Sequence, residues 1–269
     1  MKKVKIGIIG CGAIGGGVAS FIDKELSSKA NIVALADIDN ITADTLKNKL
    51  KAKPKIMDID ALIEACDLVI EAASVNAAEY ILDKTLEHRK DVVILSVGAL
   101  LKKDSILEKA EKKGIKIYIP SGAICGVDGV GALSLGDIRK ISLITSKPPE
   151  GLAGAAYLKK KNINLDKLKK EKIVFKGGVR EAIRFFPKNI NVAAILLLAS
   201  PYKGVEVCIK ANPFIKRNIH RIEIKAKEAN INIEVENVPS QLNPKTSTLA
   251  ILSTKYLLKK MFSSFKIGG

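Results

Sequence analysis

The segment "NPFIKRNIHRIEI", residues 212–224, contains a residue type well suited to proton transfer. It holds His220, one of only two histidines among 269 residues. An unperturbed imidazole has a pKa of about 6.5, so it can take up or release a proton near neutral pH. His220 is therefore the candidate catalytic residue. The other histidine, His88, lies in the charged stretch "LEHRK", where we expect it to face solvent or to complement a helix dipole.

An apolar alternation places His220 on one side of a strand. Ile222 and Ile224 share its phase, whereas Arg221 and Glu223 have the opposite phase. Because successive side chains of a strand point to opposite faces, the histidine is expected to point inward and Arg221 away from it. A histidine packed into the core, with its ring hydrogen-bonded, is the alternative.

Polar side chains surround His220 in the sequence more densely than the entrance to a core strand requires. Amide and cationic groups of this kind could bind the carboxylates of an acidic substrate, with Arg as the better bidentate partner. The candidate substrate-binding residues are Asn212, Lys216, Arg217 and Asn218. Arg221 is a further candidate cation, although the alternation points it away from His220.

A glycine-rich turn near residue 10 predicts a dinucleotide site. Val4–Ile9 is an apolar, strand-like run that leads into Gly10-x-Gly12-x-x-Gly15, and a pattern of helical period follows. Such a turn lets a pyrophosphate approach the backbone at the N-terminus of a helix. The predicted cofactor-binding residues of this turn are Gly10, Gly12, Ala13, Ile14 and Gly15.

An acidic residue ends the second apolar run, "NIVALAD". Asp37 lies 25 positions beyond Gly12, where a carboxylate accepts hydrogen bonds from the adenosine ribose and repels a 2′-phosphate. The sequence thus favours NAD and leaves NADP possible. Asp39 is close enough to share this role.

Residues 1–120 alternate strand-like and helix-like segments and predict a Rossmann-type, doubly wound parallel sheet. One predicted helix, "TADTLKNKL", is expected to be capped by Thr42, and "DVVILSVGAL" is expected to be a strand. Ligands bind beyond the carboxyl ends of such strands, so Ala73 and Ser74 in "AASVNAA" complete the predicted cofactor site.

After residue 120 strand-like runs follow one another, with an apolar helix, "NVAAILLLA", among them. This pattern predicts a second α+β domain of mainly antiparallel sheet over residues 121–240, which would carry the substrate and catalytic residues. Residues 241–269 are expected to form a C-terminal helix that returns to the first domain.

Composition limits the possible partners. The net charge of +17 is compatible with nucleic-acid binding, but the basic residues are spread along the chain and aromatics make up only 4%. A lysine-rich solvated surface without a nucleic-acid partner is the better prediction. The four cysteines lack metal-site spacing and are expected to be reduced thiols, with no metal. We expect a cytoplasmic protein, since neither a signal peptide nor an apolar run of membrane-spanning length is visible.

Several blocks together resemble the archaeal and bacterial L-aspartate dehydrogenase family. Besides the glycine turn, these are "SGAICGVDG" at 121–129, "FPKNINVAA" at 186–194, "NPFIKRNIH" at 212–220 and "NPKTSTLA" at 243–250. The resemblance implies NAD(P)-dependent interconversion of L-aspartate with oxaloacetate and ammonia through iminosuccinate, which can supply NAD biosynthesis. It also implies that His220 is catalytic and that Ala123 and Asn189 contact the nicotinamide cofactor.

Two other functions stay open at this level. In a thiol-dependent semialdehyde dehydrogenase, Cys125 would attack an aldehyde and His220 would act as the base. A non-enzymatic NAD-sensing or nucleic-acid-binding protein is favoured by the positive charge alone. For the leading hypothesis the partners are a small dicarboxylate, ammonia and a second copy of the chain, in a homodimer built on the sheet of the second domain.

Overall fold

The computed structural model describes residues 2–102, 105–186, 190–200, 202–243 and 246–268. The chain divides into two compact units. The first comprises Met1–Pro120 together with Ala250–Lys266, and the second comprises Ser121–Leu249 together with Ile267–Gly269.

The first unit contains a six-stranded sheet in which neighbouring strands are parallel. Its strands are β1 (Val4–Ile9), β2 (Ala30–Ala36), β3 (Lys55–Ile56), β4 (Leu68–Glu71), β5 (Asp91–Ile94) and β6 (Ile117–Tyr118). Their spatial order, β3-β2-β1-β4-β5-β6, reverses direction beside β1. This is the doubly wound order of a dinucleotide-binding sheet, and it confirms the predicted fold class.

Helices connect these strands, and aliphatic side chains fill the space between helices and sheet. Ile6, Ile8, Ile22 and Leu35 belong to one buried cluster of this unit. A chain with no Trp depends on such branched aliphatic residues for its core. The connecting helices are α1 (Ala13–Glu25), α2 (Asn40–Lys49), α3 (Ile59–Ala65), α4 (Val75–Glu87) and α5 (Ile106–Lys113).

Two local predictions for this unit were wrong. Helix α2 is capped by Asp39, whose carboxylate accepts hydrogen bonds from the Ile41 backbone N–H and the Thr42 hydroxyl, so Thr42 lies inside the helix. Strand β5 ends at Ile94, and Val97–Lys102 forms a 3-10 helix rather than more strand. The start of α2 and the end of β5 are each determined by a side chain or turn next to the periodic pattern. Hydrophobic periodicity alone does not indicate these boundaries.

The second unit contains a five-stranded sheet. Its strands are β7 (Ile138–Lys147), β8 (Lys172–Gly178), β9 (Glu206–Ala211), β10 (Asn218–Ala226) and β11 (Asn230–Asn237). The order is β11-β10-β7-β9-β8. Three of the neighbouring pairs are antiparallel, and β7 with β9 is parallel, so the predicted mainly antiparallel sheet is confirmed.

The helices of the second unit are short. The apolar α9 carries several buried side chains, and an edge-to-face cluster of Tyr157, Phe175, Phe185 and Phe186 packs nearby in the same unit. These helices are α6 (Val127–Leu133), α7 (Ala156–Lys160), α8 (Val179–Phe185) and α9 (Asn191–Leu198).

The helix α10 (Thr248–Met261) carries the chain back into the first unit. Leu258 is fully buried in the aliphatic cluster of that unit, and Ile251 packs so closely on α1 that a Cβ at Gly17 would lie 2.9 Å from its Cγ2. The Lys29 ammonium donates a 2.6 Å hydrogen bond to the Phe262 carbonyl. Among the helices in the described residues, none is both long and apolar enough to cross a membrane.

Candidate functional site

The glycine turn between β1 and α1 has a conformation that side chains would block. Gly10 has a φ of +96°, and a Cβ on it would lie 2.4 Å from the Ala72 carbonyl oxygen. A Cβ on Gly15 would lie 1.8 Å from the carbonyl oxygen of Gly10. The two glycines therefore let the first helix begin immediately after the central strand.

The N-terminus of α1 is open where a phosphate would be expected. Gly12 is the N-cap, and a Cβ built on it meets nothing within 4 Å. The first turn carries no acidic residue. Because the first N–H groups of a helix have no partner within it, those at Ala13 and Ile14 can bind an anion here.

Asp37 holds the glycine turn against the end of β2. Its carboxylate accepts a 2.6 Å hydrogen bond from the Cys11 N–H and a 2.9 Å hydrogen bond from the Asp39 N–H. The side chain is only partly buried, so it keeps surface for a ligand. Asp39, by contrast, is engaged as the cap of α2. Burial and then the charge of Asp37 raise the pKa of the Cys11 thiol to about 12, which makes it an inert core residue.

A fully buried carboxylate that the sequence predictions missed lies at the end of β4. Glu71 Oε2 accepts hydrogen bonds from the backbone N–H groups of Ser96 at 2.8 Å and Leu95 at 3.1 Å. Its Oε1 accepts from the Ala73 N–H at 2.9 Å and the Ser96 hydroxyl at 2.8 Å. Burial raises the pKa of this carboxyl, and the four donors oppose that effect.

Glu71 thereby ties together the segments that follow β4 and β5. Ala73 is one of its donors, and the next residue, Ser74, caps α4 by accepting from the Ala77 N–H at 3.3 Å. Both were sequence candidates for cofactor binding. The signal available in the sequence was an acidic residue ending the apolar run "LVIE", where a buried strand would otherwise have an apolar residue.

In the second unit, His220 points into the interior from β10, with 5% of its surface exposed. Its neighbours in register are Thr145 on β7 and Val235 on β11. The Thr145 hydroxyl lies 2.9 Å from the imidazole Nδ1. Burial, followed by the charge of Lys147, lowers the pKa of His220 to about 3. The ring is consequently held in place and neutral at physiological pH.

Lys147 is the second residue that the sequence predictions missed. It ends β7 with 8% of its surface exposed, and burial lowers the pKa of its ammonium to about 8. Leu143, Thr145 and Lys147 alternate along the inward face of the strand. A lysine in the inward phase of an apolar alternation was the signal that could have identified it.

Ala123 is fixed beside the beginning of β10 by an asparagine on the neighbouring strand. The Asn237 amide donates a 3.0 Å hydrogen bond to the Ala123 carbonyl and accepts one from the Ser247 hydroxyl. Asn237 is also the register partner of Asn218. The structure therefore brings the Ala123 loop and Asn218 together within one unit. Asn189, the other predicted nicotinamide contact, lies outside the described residues.

Of the basic and amide candidates near His220 in the sequence, three are engaged with acidic side chains and one is exposed. Arg217 pairs with Glu236 at 3.2 Å, Arg221 pairs with Glu234, and all of these side chains are about half exposed. The Asn212 amide donates to Glu171 at 3.2 Å, and Lys216 is exposed. The two arginine pairs lie on the outward-facing side of β10 and β11, and the Asn212 contact joins the end of β9 to the residue before β8, whereas His220 points inward.

Cys125 lies exposed in the loop before α6. The contact that the structure shows at the Nδ1 of His220 is with Thr145, not with a thiol. All four cysteines are free.

Taken separately, each unit offers groups suited to one part of a redox reaction. The helix end and the Asp37 carboxylate of the first unit fit the pyrophosphate and adenosine ribose of a dinucleotide. The second unit holds a neutral imidazole and a desolvated cation on one inward face, which suits proton transfer on an anionic substrate.

Two family models match the chain. Residues 128–261 match the model described as "Aspartate dehydrogenase, C-terminal". Residues 10–120 match the model described as "Homoserine dehydrogenase, NAD binding domain". The two matches correspond to the two kinds of chemistry described above.

Individual relatives are similar over almost the full length. The L-aspartate dehydrogenase of Methanosarcina acetivorans is 42% identical over 98% of this chain and 99% of its own length. That of Methanococcus maripaludis is 44% identical with the same coverage. Among solved structures, the aspartate dehydrogenase of Thermotoga maritima has a TM-score of 0.75 at 26% identity, covering 99% of this chain and 100% of that one.

Proposed function

The chain belongs to the L-aspartate dehydrogenase family, and on that premise we propose that it interconverts L-aspartate with oxaloacetate and ammonia through iminosuccinate. The observation that carries this proposal is the neutral, buried His220, whose Nδ1 lies 2.9 Å from the Thr145 hydroxyl. A proton carrier held in this way suits the addition and removal of water and ammonia at a carbonyl carbon.

The first unit binds the nicotinamide cofactor, which supplies or accepts the hydride when it is bound. The backbone N–H groups of Ala13 and Ile14, beside the bare Gly12, hold the pyrophosphate. Asp37 binds the adenosine ribose, so NAD is preferred over NADP. Ala73 and Ser74, which follow β4, line the same site.

His220 moves the proton in the second unit. We assign Nδ1–H as the donor to Thr145, an arrangement that leaves Nε2 as the base. In the direction of aspartate oxidation, Nε2 removes a proton from the water that attacks iminosuccinate. In the direction of amination, the same nitrogen relays protons as ammonia adds to oxaloacetate and water leaves. No metal takes part in this scheme.

Other residues of the second unit position the reactants. Ala123, fixed by Asn237, contacts the nicotinamide end of the cofactor together with Asn189. Asn218 faces the same side of β10 as His220 and orients the substrate. Lys216 and Arg217 add positive charge that attracts the dicarboxylate toward this site, and the Asn212 amide offers it a hydrogen-bond donor.

Iminosuccinate connects this reaction to NAD biosynthesis in our proposal, because it is a precursor that quinolinate synthesis can consume. The test couples aspartate oxidation by this protein to an added quinolinate-forming enzyme and measures the quinolinate that is formed. Quinolinate formation that depends on this protein supports the role, and its absence despite active aspartate oxidation contradicts it.

We also propose that the protein is a homodimer formed through the second unit. The outward face of β10 and β11 carries cross-strand ion pairs such as Arg221–Glu234, a regular and specific surface on which a second copy could pair. Light scattering after gel filtration should give twice the 29.0 kDa chain mass. A monomer mass at assay concentration would contradict this.

The main test is a turnover assay with purified protein, NADH, ammonia and a panel of 2-oxo acids, followed at the nicotinamide absorbance. We expect strong turnover with oxaloacetate and little with pyruvate or 2-oxobutyrate, which lack the second carboxylate. NADPH in parallel measures the cofactor preference.

The same preparation distinguishes the other functions. Aldehyde oxidation that requires Cys125, in place of oxaloacetate amination, would support a thiol-dependent dehydrogenase. No nicotinamide turnover, with salt-sensitive DNA binding, would support a nucleic-acid-binding protein.

A further inference from the structure

Lys147 is a buried cation on the same inward face as the candidate catalytic histidine. It follows Thr145 by two positions on β7, so the two side chains leave the strand on one side. Thr145 is the register partner of His220 and contacts its ring. Two residues of strand span about 7 Å, which places Lys147 within reach of a small substrate lying against the imidazole.

Electrostatics supports this proximity independently of the strand geometry. The charge of Lys147 is one of the two causes that lower the pKa of His220. The ammonium therefore acts on the imidazole even though the two side chains come from different strands. A neighbouring cation of this kind disfavours a protonated histidine until an anion arrives.

Gly151, which has no side chain, lies beside both Lys147 and Asn218. A Cβ on Gly151 would approach the Lys147 Cβ to 3.7 Å and the Asn218 Oδ1 to 3.8 Å. Gly151 thus connects the end of β7 with the beginning of β10. Lys147, Asn218 and His220 share one region of the second unit.

The cations that the sequence suggested for carboxylate binding are placed differently. Arg217 and Arg221 form ion pairs with Glu236 and Glu234 at the outward-facing side, and Lys216 is exposed. Compared with these three, Lys147 is the cation that shares the face of His220.

We propose that Lys147 binds a carboxylate of the four-carbon dicarboxylate beside the atom on which His220 acts. The inference rests on the proposed function and assigns its specificity for an acidic substrate to a lysine within β7. A desolvated ammonium attracts a carboxylate more strongly than an exposed one does. Burial is the larger cause of the lowered pKa of His220 and the ammonium the smaller, and a bound anion offsets the smaller one, so the proton affinity of the imidazole is higher when substrate is present.

The experiment compares Lys147→Met with Lys140→Met. Lys140 lies on the same strand, faces the other way and pairs with Glu223 at 3.1 Å, which makes it the matched control. Binding of succinate, an unreactive four-carbon dicarboxylate, is measured by calorimetry on the protein–NADH complex. Turnover of oxaloacetate with ammonia is measured on the same preparations.

For Lys147→Met we expect roughly 10- to 150-fold weaker succinate binding and a similar rise in KM for oxaloacetate, the usual effect of losing a charge-assisted hydrogen bond. NADH affinity should change little, because most of the proposed cofactor contacts are in the first unit and Lys147 is not one of them. Lys140→Met should match the wild type in all of these. A Lys147→Arg variant keeps the charge and should retain part of the succinate affinity.

A pH profile separates binding from a merely structural role. Removing the ammonium should move the limb of the kcat/KM profile that depends on His220 to higher pH, since a cation that lowers its pKa is gone. The groups that face His220 are Thr145 and Lys147 on β7 and Val235 on β11, and Lys147 is the charged one among them.

The outcomes are distinguishable. Unchanged succinate affinity and KM in folded Lys147→Met protein, beside an active wild type, would overturn the inference and leave the proposed function standing. A wild type without oxaloacetate turnover would overturn the proposed function, whatever the succinate result. If the Met variant does not fold, loss of succinate binding in Lys147→Gln with normal NADH affinity supports the inference, and retained binding overturns it.

Discussion

At the scale of single residues, the burial of His220 conflicts with its proposed role as a base, because burial lowers its pKa. An imidazole with a pKa of about 3 is a poor acceptor of protons, yet its inward position and fixed ring are features of a catalytic group. In our proposal an anionic substrate lessens the conflict, because its charge raises the proton affinity of the ring. The empty site and the substrate-bound site therefore differ in acid–base behaviour.

His220→Ala should lower kcat by roughly 10²- to 10⁴-fold, the usual contribution of general acid–base catalysis. NADH affinity should remain, because the proposed cofactor contacts lie mainly in the first unit. Both are measured with the thermal midpoint on one preparation. A lower midpoint with unchanged kcat per folded molecule would mean that His220 is only a core residue.

The free energy of unfolding should depend on pH through the same residue. The folded pKa, about 3, lies below the unfolded value of about 6.5, so the unfolded chain binds a proton that the folded chain does not. The stability contribution is full above about pH 6.5 and is lost as the pH falls toward 3. Urea titrations from pH 7 to 4 should show a weaker pH dependence for His220→Asn than for the wild type. Equal slopes would refute the assignment.

Asp37→Ser should shift the ratio of kcat/KM for NADPH over NADH upward by about tenfold or more, because the repulsion of a 2′-phosphate is removed. Asp39→Ser is the control. It should leave both the thermal midpoint and the ratio nearly unchanged, because a serine hydroxyl can also cap α2. If instead Asp39→Ser alone changes the ratio, the ribose ligand is Asp39.

Residues such as Gly10, Gly15 and His220 could be located from the sequence because each has a local signal, either a spacing or a phase. Thr145 and Lys147 could not be connected with His220, since 75 residues separate the two contact partners Thr145 and His220. Only the register between β7 and β10 brings them together, and register between distant strands is not encoded in either segment alone.

At the scale of elements, Glu71 makes β4 and β5 a single support for the proposed cofactor site. One side chain receives hydrogen bonds from the segments after both strands. Strand periodicity predicted β4 correctly but extended β5 beyond Ile94, because an apolar 3-10 helix has the same composition as a buried strand. The Glu71 contacts mark the point where β5 ends.

Glu71→Gln should weaken NADH binding and lower the thermal midpoint, and Glu71→Ala should do both more strongly. The four donors bind two carboxylate oxygens in the wild type, whereas a glutamine amide has only one oxygen that can accept. At least one buried N–H therefore loses its partner, at a cost of about 1–3 kcal/mol. Asp67→Asn, an exposed acceptor just before the same strand, is the control and should leave NADH affinity unchanged. NADH fluorescence titrations well below the midpoint check this, and wild-type affinity in Glu71→Gln would limit Glu71 to a structural role.

At the scale of the whole molecule, the first unit is built from two segments that are far apart in the sequence. Residues 121–249, nearly all of the second unit, lie in the sequence between two pieces of the first, and Ile267–Gly269 also belong to the second unit. The sequence predicted the returning helix from its apolar pattern, but which of its side chains would pack could not be predicted, because that depends on surfaces of α1 and the sheet.

Leu258→Ala should destabilise the first unit by about 2–5 kcal/mol, the usual cost of emptying a fully buried leucine site. Leu252, half-exposed on the same helix, gives the control, and Leu252→Ala should cost far less. Chemical denaturation followed with and without NADH measures both. Equal effects of the two substitutions would show that α10 does not complete the core.

The returning helix has a consequence for protein synthesis. The strands of the NAD-binding sheet leave the ribosome long before Leu258 does, since the 130 residues from 121 to 250 are made in between, which takes about 7 to 26 s at ~5–20 residues per second. During that interval the aliphatic surface that α10 will cover is exposed on the nascent chain. Residues 121–249, which make up nearly all of the second unit, can fold before α10 is made, and the cofactor-binding unit is completed only at the end of translation.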